Sequence, residues 1–336
     1  METVSCDLCG SSEYDDLFKQ KDLFYRVSDE EFHMVRCRQC GLHYLNPRPT
    51  VSEMTHHYPD DYGFYSQKSR KSVFVKEKIK KLFQWAYFET GCCCKKATAR
   101  LILSPFKYLP FVKRKYLNLL VPKINSYFDL NTPQRILDIG CGSGSTIHLR
   151  PANETLVALC AAGWEVYGIE VSQRARDILK SRGIQHVFPD FVTAELKDDY
   201  FDVIRMNWSF EHVHHPTLYL SECKRVLKPG GKLIISVPNY DGIVYKLFPH
   251  CVELPVHVYY FDTRTFKKYC DKLDYKIVAY QTFSYLSLFL EALNLMLPEL
   301  YRYYCDHIDE AIHLNSFLQM MGKMDRGDDM TFCLTK

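Results

Sequence analysis

The sequence has no long uncharged apolar run. Its most apolar stretch, Leu101 to Val121, is interrupted by two prolines and by four basic residues, Lys107, Lys113, Arg114 and Lys115. The first ten residues, METVSCDLCG, contain no basic segment followed by an apolar one. These absences argue against a membrane-spanning helix and a secretory signal, so we expect a cytoplasmic protein.

A regular disulfide framework is also missing. The chain has 14 cysteines, but three of them, Cys92 to Cys94, are consecutive, which is untypical of paired cysteines in an oxidising compartment. The composition excludes a disordered or collagen-like chain, because 47% of the residues are hydrophobic and 25% are charged. A chain of 336 residues can form roughly two or three domains.

Two copies of the motif CxxCG stand near the N-terminus. Cys6 and Cys9 form the first copy, and Cys37 and Cys40 form the second, 27 residues further on. Two thiolates three residues apart supply half of a tetrahedral shell, and the glycine relieves the turn at positive φ. We expect the four cysteines to bind a structural zinc ion, although iron fits the same ligands.

The segment that follows, residues 41–65, alternates proline turn signals with tyrosines. It predicts an ordered aromatic loop. Its tyrosines either line a substrate cleft or, as we favour, pack against the next domain. They are Tyr44, Tyr58, Tyr62 and Tyr65.

A basic segment is hidden by the low net charge of +3. Lys68 to Lys123 contains fifteen Lys and Arg but only two Glu, a local charge of +13. Within it, residues 72–89 carry apolar side chains at helical spacing with lysines between them, which predicts an amphipathic helix. We favour a helical cap with a solvated face over peripheral contact with an anionic membrane, and we rank nucleic-acid binding last.

From about residue 134, short apolar runs alternate with helical stretches, the pattern of βαβ units and a parallel sheet. Helices are expected near Glu154 to Ala162, Ser172 to Ser181 and Thr217 to Val226, and a Gly230-Gly231 turn precedes the last of five strands. The five strands are Arg135 to Ile139, Glu165 to Ile169, Gln185 to Phe188, Asp202 to Met206 and Lys232 to Val237.

The first of these strands runs into a glycine-rich turn. Asp138 is followed by Gly140, Gly142 and Gly144, glycines that let the backbone approach a ligand at the carboxyl end of the strand. Glu170 ends the second strand, where a carboxylate can accept both hydroxyls of a ribose. The spacing lacks the third glycine of a dinucleotide site, so the two features together favour S-adenosylmethionine.

At this point the chain resembles the class I S-adenosylmethionine-dependent methyltransferases, particularly the small-molecule group of quinone-biosynthesis and bacterial glycan or sugar methyltransferases. The resemblance spans Gln134 to Phe283 and is carried by ILDIGCGSG, WEVYGIEVS, FDVIRMNWSFEHVHHP and RVLKPGGKLIISVPN. It implies an α/β fold with a Rossmann-like, seven-stranded methyltransferase sheet whose last strand, near Asp329 to Lys336, is antiparallel. The two CxxCG motifs and LNPRP resemble a bacterial subgroup that couples a zinc-type module to this core.

The implied organisation has three parts. Residues 1–60 form a zinc-binding module with its aromatic loop, residues 61–130 a basic helical cap or linker, and residues 131–336 the methyltransferase domain, with a helical insertion at about 284–325. Apolar side chains in the insertion recur at helical spacing and are expected in its core. They are Leu290, Leu293, Leu297, Tyr301 and Tyr304.

The resemblance also implies cofactor ligands, carried over by position. Asp138 and the three glycines that follow it would hold the methionine end, Glu170 the ribose, and Asp190 the adenine. Asn207 and Trp208 would flank the cofactor.

Two histidines are candidate proton acceptors for a hydroxyl substrate, because neutral imidazole suits that task at physiological pH. His212 lies in SFEHVHHP and His257 in ELPVHVYYF, and both segments are similar to the family's pattern. The alternative for each is a role in holding its loop. His214 and His215 are weaker candidates, and no carboxylate is placed to support a metal site that they would form with His212.

One departure from the family concerns Ser145 to Ala162, where Pro151 disfavours a continuous helix after the last glycine. We expect an inserted irregular segment at residues 145–153, with consequences for the position of Gly144 and for closure around the cofactor.

We therefore expect an S-adenosylmethionine-dependent methyltransferase that acts on an oxygen of a small molecule or saccharide. A lipid-linked acceptor is included because of the basic segment. The alternatives are a C-methyltransferase acting on a nucleotide-linked deoxysugar, and a catalytically inactive relative that binds zinc or nucleic acid.

Overall fold

Two β-sheets organise the part of the chain that the structure, a computed structural model, describes: residues 1–59, 127–144 and 155–336. The strands in these ranges are β1 (Tyr14–Lys21), β2 (Glu31–Cys37), β3 (His43–Leu45), β4 (Arg135–Ile139), β5 (Glu165–Ile169), β6 (His186–Phe188), β7 (Phe201–Asn207), β8 (Leu227–Pro238), β9 (Tyr259–Tyr260), β10 (Lys276–Phe283) and β11 (Asp329–Thr335). The helices are α1 (Val51–Met54), α2 (Leu156–Ala161), α3 (Gln173–Ser181), α4 (Pro216–Val226), α5 (Ile243–Leu247), α6 (Thr263–Lys272), α7 (Leu286–Met296), α8 (Pro298–Asp306) and α9 (Ile308–Lys323).

The large sheet has seven strands in the order β10-β11-β8-β7-β4-β5-β6. The five strands from β8 to β6 are parallel, whereas β11 is antiparallel to both of its neighbours. Strands of a parallel sheet are covered on both faces, and β4 and β7 are accordingly buried along most of their length. The predicted α/β sheet with an antiparallel last strand is confirmed.

The start of β8 differs from the prediction. The strand was expected to begin at Lys232 after a Gly230-Gly231 turn, but Leu227 already pairs with Phe201. The register shifts before Val203, so the glycines lie in an irregular part of the strand. A Cβ on Gly231 would come within 3.1 Å of two backbone carbonyl oxygens, which explains why glycine suits this position.

The small sheet combines the N-terminal segment with a strand from much later in the chain. Its order is β1-β2-β3-β9, and all three pairings are antiparallel. His43 pairs with Tyr260, and Tyr44 pairs with Tyr259. Tyr44 and Tyr259 are both buried in the main core cluster, so the N-terminal segment and the large sheet share one core.

Helices α7, α8 and α9 connect β10 to β11, where the helical insertion was expected. Leu290 and Leu293 are buried beside Val244 of α5, so the insertion packs over the chain that leaves β8. Leu297, however, is 48% exposed, because α7 ends there and Pro298 starts a new helix. Among the described residues, no helix is both long enough and apolar enough to cross a membrane.

Four sequence-based predictions lie outside the described residues. They are the basic segment from Lys68 to Lys123, the amphipathic helix at residues 72–89, the triplet Cys92 to Cys94, and the irregular segment at residues 145–153.

Candidate functional site

The four cysteines of the CxxCG motifs converge, with their sulfur atoms all within 4.8 Å of one another. The Sγ atoms of Cys6 and Cys40 are 3.4 Å apart, and those of Cys9 and Cys37 are 3.5 Å apart. A tetrahedral zinc ion at about 2.3 Å from each sulfur would separate the sulfurs by about 3.8 Å, so the cluster fits such an ion with little movement. The glycines that follow each knuckle have positive φ, +78° at Gly10 and +83° at Gly41, as the tight turns require.

The first cysteine knuckle is docked onto two helices of the large domain. Asp7 Oδ2 accepts hydrogen bonds from the backbone N–H of Thr217, at the start of α4, and from the hydroxyl of Tyr269 in α6, both at 2.9 Å. Lys268 of α6 donates to the carbonyl oxygen of Cys40 at 2.9 Å. A metal in the knuckles would therefore stabilise the placement of these helices as well as its own loops.

The glycine-rich turn after β4 lies at the carboxyl edge of the parallel strands. Gly140, Gly142 and Gly144 all have positive φ. A Cβ on Gly140 would lie 2.4 Å from the Cβ of Ser209, so this glycine permits close contact between the turns after β4 and β7. Asp138 below the turn is 6% exposed, and its Oδ2 accepts from Nη2 of Arg205 at 2.5 Å.

Arg205 was not singled out by the sequence analysis. It lies in the middle of β7 and is fully buried. The sequence does contain a signal for this pair: Arg205 is a basic residue inside an otherwise apolar strand, and a buried charge requires an oppositely charged partner. The pair anchors Asp138 beneath the glycine-rich turn.

Glu170 follows β5 and joins the same edge. It is 5% exposed, and its two oxygens accept from the backbone N–H groups of Gly142 at 2.7 Å and Ser172 at 2.8 Å. Burial raises the pKa of this carboxyl, while the two N–H donors act in the opposite direction. A carboxylate offers about four acceptor positions, so room remains for the hydroxyls of a ribose.

The other proposed cofactor residues line the strand ends on either side. Asp190 follows β6 and its Oδ1 accepts from the N–H of Thr193 at 2.8 Å. Asn207 ends β7, and Trp208 next to it has a φ of +50°. The indole N–H of Trp208 donates to Asp329 Oδ1 at 2.8 Å, which fixes the ring against the antiparallel strand.

The two candidate catalytic histidines lie side by side. The ring centres of His212 and His257 are 4.6 Å apart, and the rings are nearly perpendicular. His212 Nδ1 is 2.9 Å from the carbonyl oxygen of Val256, which can only accept, so Nδ1 carries the proton and Nε2 keeps its lone pair. Burial lowers the pKa of both histidines to about 3, so both rings are neutral at physiological pH.

Two carboxylates accompany His212 and His257. The expectation that no carboxylate is placed for support concerned His212 together with His214 and His215, and not this pair. His257 Nε2 lies 3.9 Å from Glu211 Oε1 and 3.9 Å from Glu253 Oε2. Burial raises the pKa of both carboxyls. We call Glu211, His212, Glu253 and His257 the histidine–carboxylate cluster. The sequence signal for Glu211 was its position next to His212, whereas Glu253 reaches the cluster because the chain turns back between β8 and β9.

The N-terminal segment reaches into this cluster. The hydroxyl of Tyr58 is 2.9 Å from His212 Nδ1, and the hydroxyl of Tyr25 donates to Glu253 Oε2 at 2.6 Å. Because Nδ1 carries its proton, Tyr58 accepts from it. Tyr58 belongs to the aromatic loop that the sequence predicts, whereas Tyr25, between β1 and β2, was not singled out.

His214 and His215 lie away from the cluster. His214 is buried and its Nε2 donates to the carbonyl oxygen of Pro49 at 2.9 Å, so it connects the loop after β7 with the LNPRP segment. Arg48 of that segment donates to the carbonyl oxygen of His214 and to the hydroxyl of Tyr259, both at 2.9 Å. His215 is exposed where α4 begins.

Comparisons with known proteins identify relatives of this arrangement. A family model described as "Methyltransferase domain" matches residues 111–280, half of the chain. A ubiquinone biosynthesis O-methyltransferase of Xanthomonas oryzae is 30% identical over 120 residues, which are 34% of this chain and 46% of the relative. A demethylmenaquinone methyltransferase of Symbiobacterium thermophilum is 31% identical over 107 residues, 30% of this chain and 40% of the relative.

The chain spans a third to a half of the length of the first curated relatives it matches. Among solved structures, a SAM-dependent methyltransferase from Archaeoglobus fulgidus is 21% identical, with 70% of this chain and 98% of that chain aligned at a TM-score of 0.41. A possible histamine N-methyltransferase from Thermotoga maritima is 16% identical, with 71% and 95% aligned at a TM-score of 0.39.

Proposed function

Because the chain belongs to the methyltransferase-domain family, we propose that it is an S-adenosylmethionine-dependent methyltransferase that acts on a hydroxyl oxygen of a small molecule or saccharide. The observation that carries this proposal is the histidine–carboxylate cluster at the carboxyl edge of the sheet, beside the cofactor turn. Two of the named relatives are quinone-pathway methyltransferases, which supports a small-molecule acceptor of this kind.

The cofactor would supply an electrophilic methyl group on a sulfonium. This chain's own residues would hold it at the carboxyl edge: the turn from Gly140 to Gly144 at the methionine end, Glu170 at the ribose and Asp190 at the adenine. Asp138 and Arg205 keep the turn in place through their buried ion pair. Methyl transfer requires alignment within about 3 Å more than it requires covalent catalysis, so positioning is the main task of these residues.

The acceptor hydroxyl would be placed beside His212. The Val256 carbonyl leaves Nε2 of His212 as the free lone pair, so that nitrogen can take the hydroxyl proton as the methyl group is transferred. His257 stands next to it and would orient the acceptor. Tyr58 holds His212 from the other side.

The cysteine cluster would bind zinc as a structural ion. Four sulfur ligands leave no open coordination position, so we assign it no part in methyl transfer. Its role is to hold the cysteine knuckles, the first of which carries Asp7. Through the small sheet, it would also keep Tyr25 and Tyr58 beside the histidine–carboxylate cluster.

Cofactor binding can be tested by calorimetric titration of the metal-replete protein with S-adenosylhomocysteine. Glu170→Ala is expected to abolish binding, because it removes both the ribose acceptor and the acceptor of the Gly142 N–H. Asp177→Ala, which removes an exposed carboxylate from α3, is the matched control and should bind as the wild type does. If the folded wild type does not bind the compound, the proposal fails.

The acceptor role of His212 is tested by turnover with a panel of hydroxylated small molecules. His212→Gln is expected to lower kcat by about 10²- to 10⁴-fold while affinity for S-adenosylhomocysteine is kept, as for loss of a general base. His215→Gln changes an exposed histidine of the same loop and should leave kcat unchanged. Equal kcat for the two variants would remove the base assignment.

A further inference from the structure

Three side chains of the histidine–carboxylate cluster converge more closely than a proton acceptor alone requires. One ligand atom each from Glu211, His212 and His257 lies within 4.8 Å of the other two. A divalent ion at about 2.0–2.2 Å from nitrogen and oxygen ligands separates those ligands by about 3–4 Å. The 3.9 Å between Glu211 Oε1 and His257 Nε2 falls within this range. The limit of 4.8 Å on the other separations is wider, so the side chains would close slightly around an ion.

The carboxylate of Glu211 points into the gap between these side chains without a hydrogen-bond partner. Glu211 is 1% exposed, and neither oxygen of its carboxylate has a hydrogen-bond partner within the described part of the chain. His257 Nε2 lies 3.9 Å from Glu211 Oε1, which is too far for a hydrogen bond. A buried carboxylate without a hydrogen-bond partner lowers the stability of the folded state unless a cation or a proton neutralises it.

His212 is prepared to be a ligand. Its Nδ1–H donates to the Val256 carbonyl, so its Nε2 lone pair is the one available for coordination. Histidines that ligate metals usually donate their other ring N–H to a carbonyl or carboxylate, because that contact fixes the tautomer and the ring orientation. Glu253, whose Oε2 is 3.9 Å from His257 Nε2, supplies a second carboxyl group beside the gap.

We propose that Glu211, His212 and His257 form a second metal site, distinct from the four cysteines, that binds a divalent first-row cation such as Mn²⁺, Fe²⁺ or Zn²⁺. Two imidazoles and one carboxylate are a known ligand set for such ions, and they leave coordination positions open. One of these positions would take the acceptor hydroxyl.

This site changes the chemistry of the proposed function, on which its role depends. With the cation bound, His212 and His257 would be ligands, so His212 would no longer accept the proton, and the acceptor oxygen would become a further ligand. Coordination lowers the pKa of that hydroxyl, so its proton passes to solvent water. The oxygen then takes the methyl group, the carbon–sulfur bond of the cofactor breaks, and S-adenosylhomocysteine leaves.

The test uses the full-length, zinc-replete protein and Mn²⁺ as the probe, with free Mn²⁺ followed by electron paramagnetic resonance. Mn²⁺ stands below zinc in affinity and does not displace it from thiolates, so the cysteine cluster does not contribute. The expected result is one Mn²⁺ per chain, bound in the micromolar range. Glu211→Gln and His257→Gln should each weaken binding at least about 10-fold, the lower end of what second-shell changes alone produce.

Asp328→Asn is the matched control, because it removes an equally buried carboxylate outside the cluster and should leave Mn²⁺ affinity unchanged. Thermal unfolding and near-ultraviolet dichroism of every variant show that the fold is kept. If the wild type binds no Mn²⁺, or if Glu211→Gln binds it as the wild type does, the site does not exist and the gap holds water. Calorimetry with S-adenosylhomocysteine on the same samples separates this failure from failure of the proposed function.

Discussion

Buried acids distinguish the candidate site at the scale of single residues. Asp329 is 2% exposed at the start of β11, and burial raises the pKa of its carboxyl to about 7. Its Oδ1 accepts a hydrogen bond from Trp208, so this buried acid also orients a residue proposed to flank the cofactor. Carboxyl groups with strongly shifted pKa values are frequent at functional sites.

The raised pKa of Asp329 predicts a pH dependence of stability. The folded state keeps this proton up to about pH 7, whereas the unfolded state releases it near pH 4, so the carboxyl lowers the free energy of unfolding as pH rises through that window. Asp329→Asn keeps an acceptor for Trp208 and should stabilise the protein by on the order of 3 kcal/mol at pH 8, but little at pH 4.

Urea unfolding of Asp329→Asn at pH 4, 6 and 8 measures this effect. The same substitution at the exposed Asp325 is the control and should change stability equally little at each pH. A gain for Asp329→Asn that is independent of pH would show that the carboxyl titrates normally in the folded state.

At the scale of elements, the first cysteine knuckle is attached to α4 and α6 through one side chain. Asp7 accepts from the backbone N–H and the hydroxyl of Thr217 and from the hydroxyl of Tyr269. Lys272 of α6 reinforces the contact by donating to the carbonyl oxygen of Leu8 at 2.9 Å. The knuckle is thus placed relative to the sheet by hydrogen bonds at the beginning of one helix and along another.

Asp7→Ala is expected to lower the free energy of unfolding by about 2–4 kcal/mol, because three donors lose a charged acceptor. Asp15→Ala is the control: Asp15 pairs with Arg38 at 2.6 Å, but both side chains are at least half exposed, so the loss should stay within about 1 kcal/mol. Urea unfolding compares the two variants. Equal losses would mean that the knuckle docks mainly through its apolar contacts.

At the scale of the whole molecule, the N-terminal segment and the large domain together surround the histidine–carboxylate cluster. The pairing of β3 with β9 places residues 43–45 beside residues 259–260, two positions after His257. Tyr25 and Tyr58 contact the histidine–carboxylate cluster from the same segment. The edge proposed to bind the cofactor, in contrast, is built from β4, β5, β6 and β7 without N-terminal contacts among its described hydrogen bonds.

Removal of metal from the cysteine cluster should therefore affect the two halves of the site differently. After chelation we expect the N-terminal segment to lose protection from proteolysis and the melting temperature to fall, because structural zinc contributes directly to folding. Affinity for S-adenosylhomocysteine should stay within about threefold of that of the zinc-bound protein, since the cofactor edge keeps its own contacts.

Limited proteolysis, thermal unfolding and calorimetry before and after chelation measure these three responses, with zinc added back to show reversal. A melting temperature that does not change after complete metal removal would mean that the knuckles hold their shape without an ion.

The sequence by itself determined those features that depend on neighbouring residues. The bounds of β4 and β5 were predicted correctly, since an apolar run between polar residues reports a buried strand locally. The two cysteine knuckles were likewise predicted from the sequence, because each is a motif of five consecutive residues whose glycine adopts a positive φ. Five strands of the large sheet followed from such local signals, whereas the seven-stranded sheet with its antiparallel last strand followed from the resemblance to the class I methyltransferases.

Only the tertiary structure decided which distant residues meet. Glu211 and His257 are 46 residues apart, and His212 and Tyr58 are 154 apart, so no local pattern could join them. Arg205 was not singled out in its apolar strand, because its partner, Asp138, is 67 residues away. The physical reason is that a buried polar group is satisfied by whatever the fold brings within about 3 Å, and that distance is set by packing and not by sequence separation.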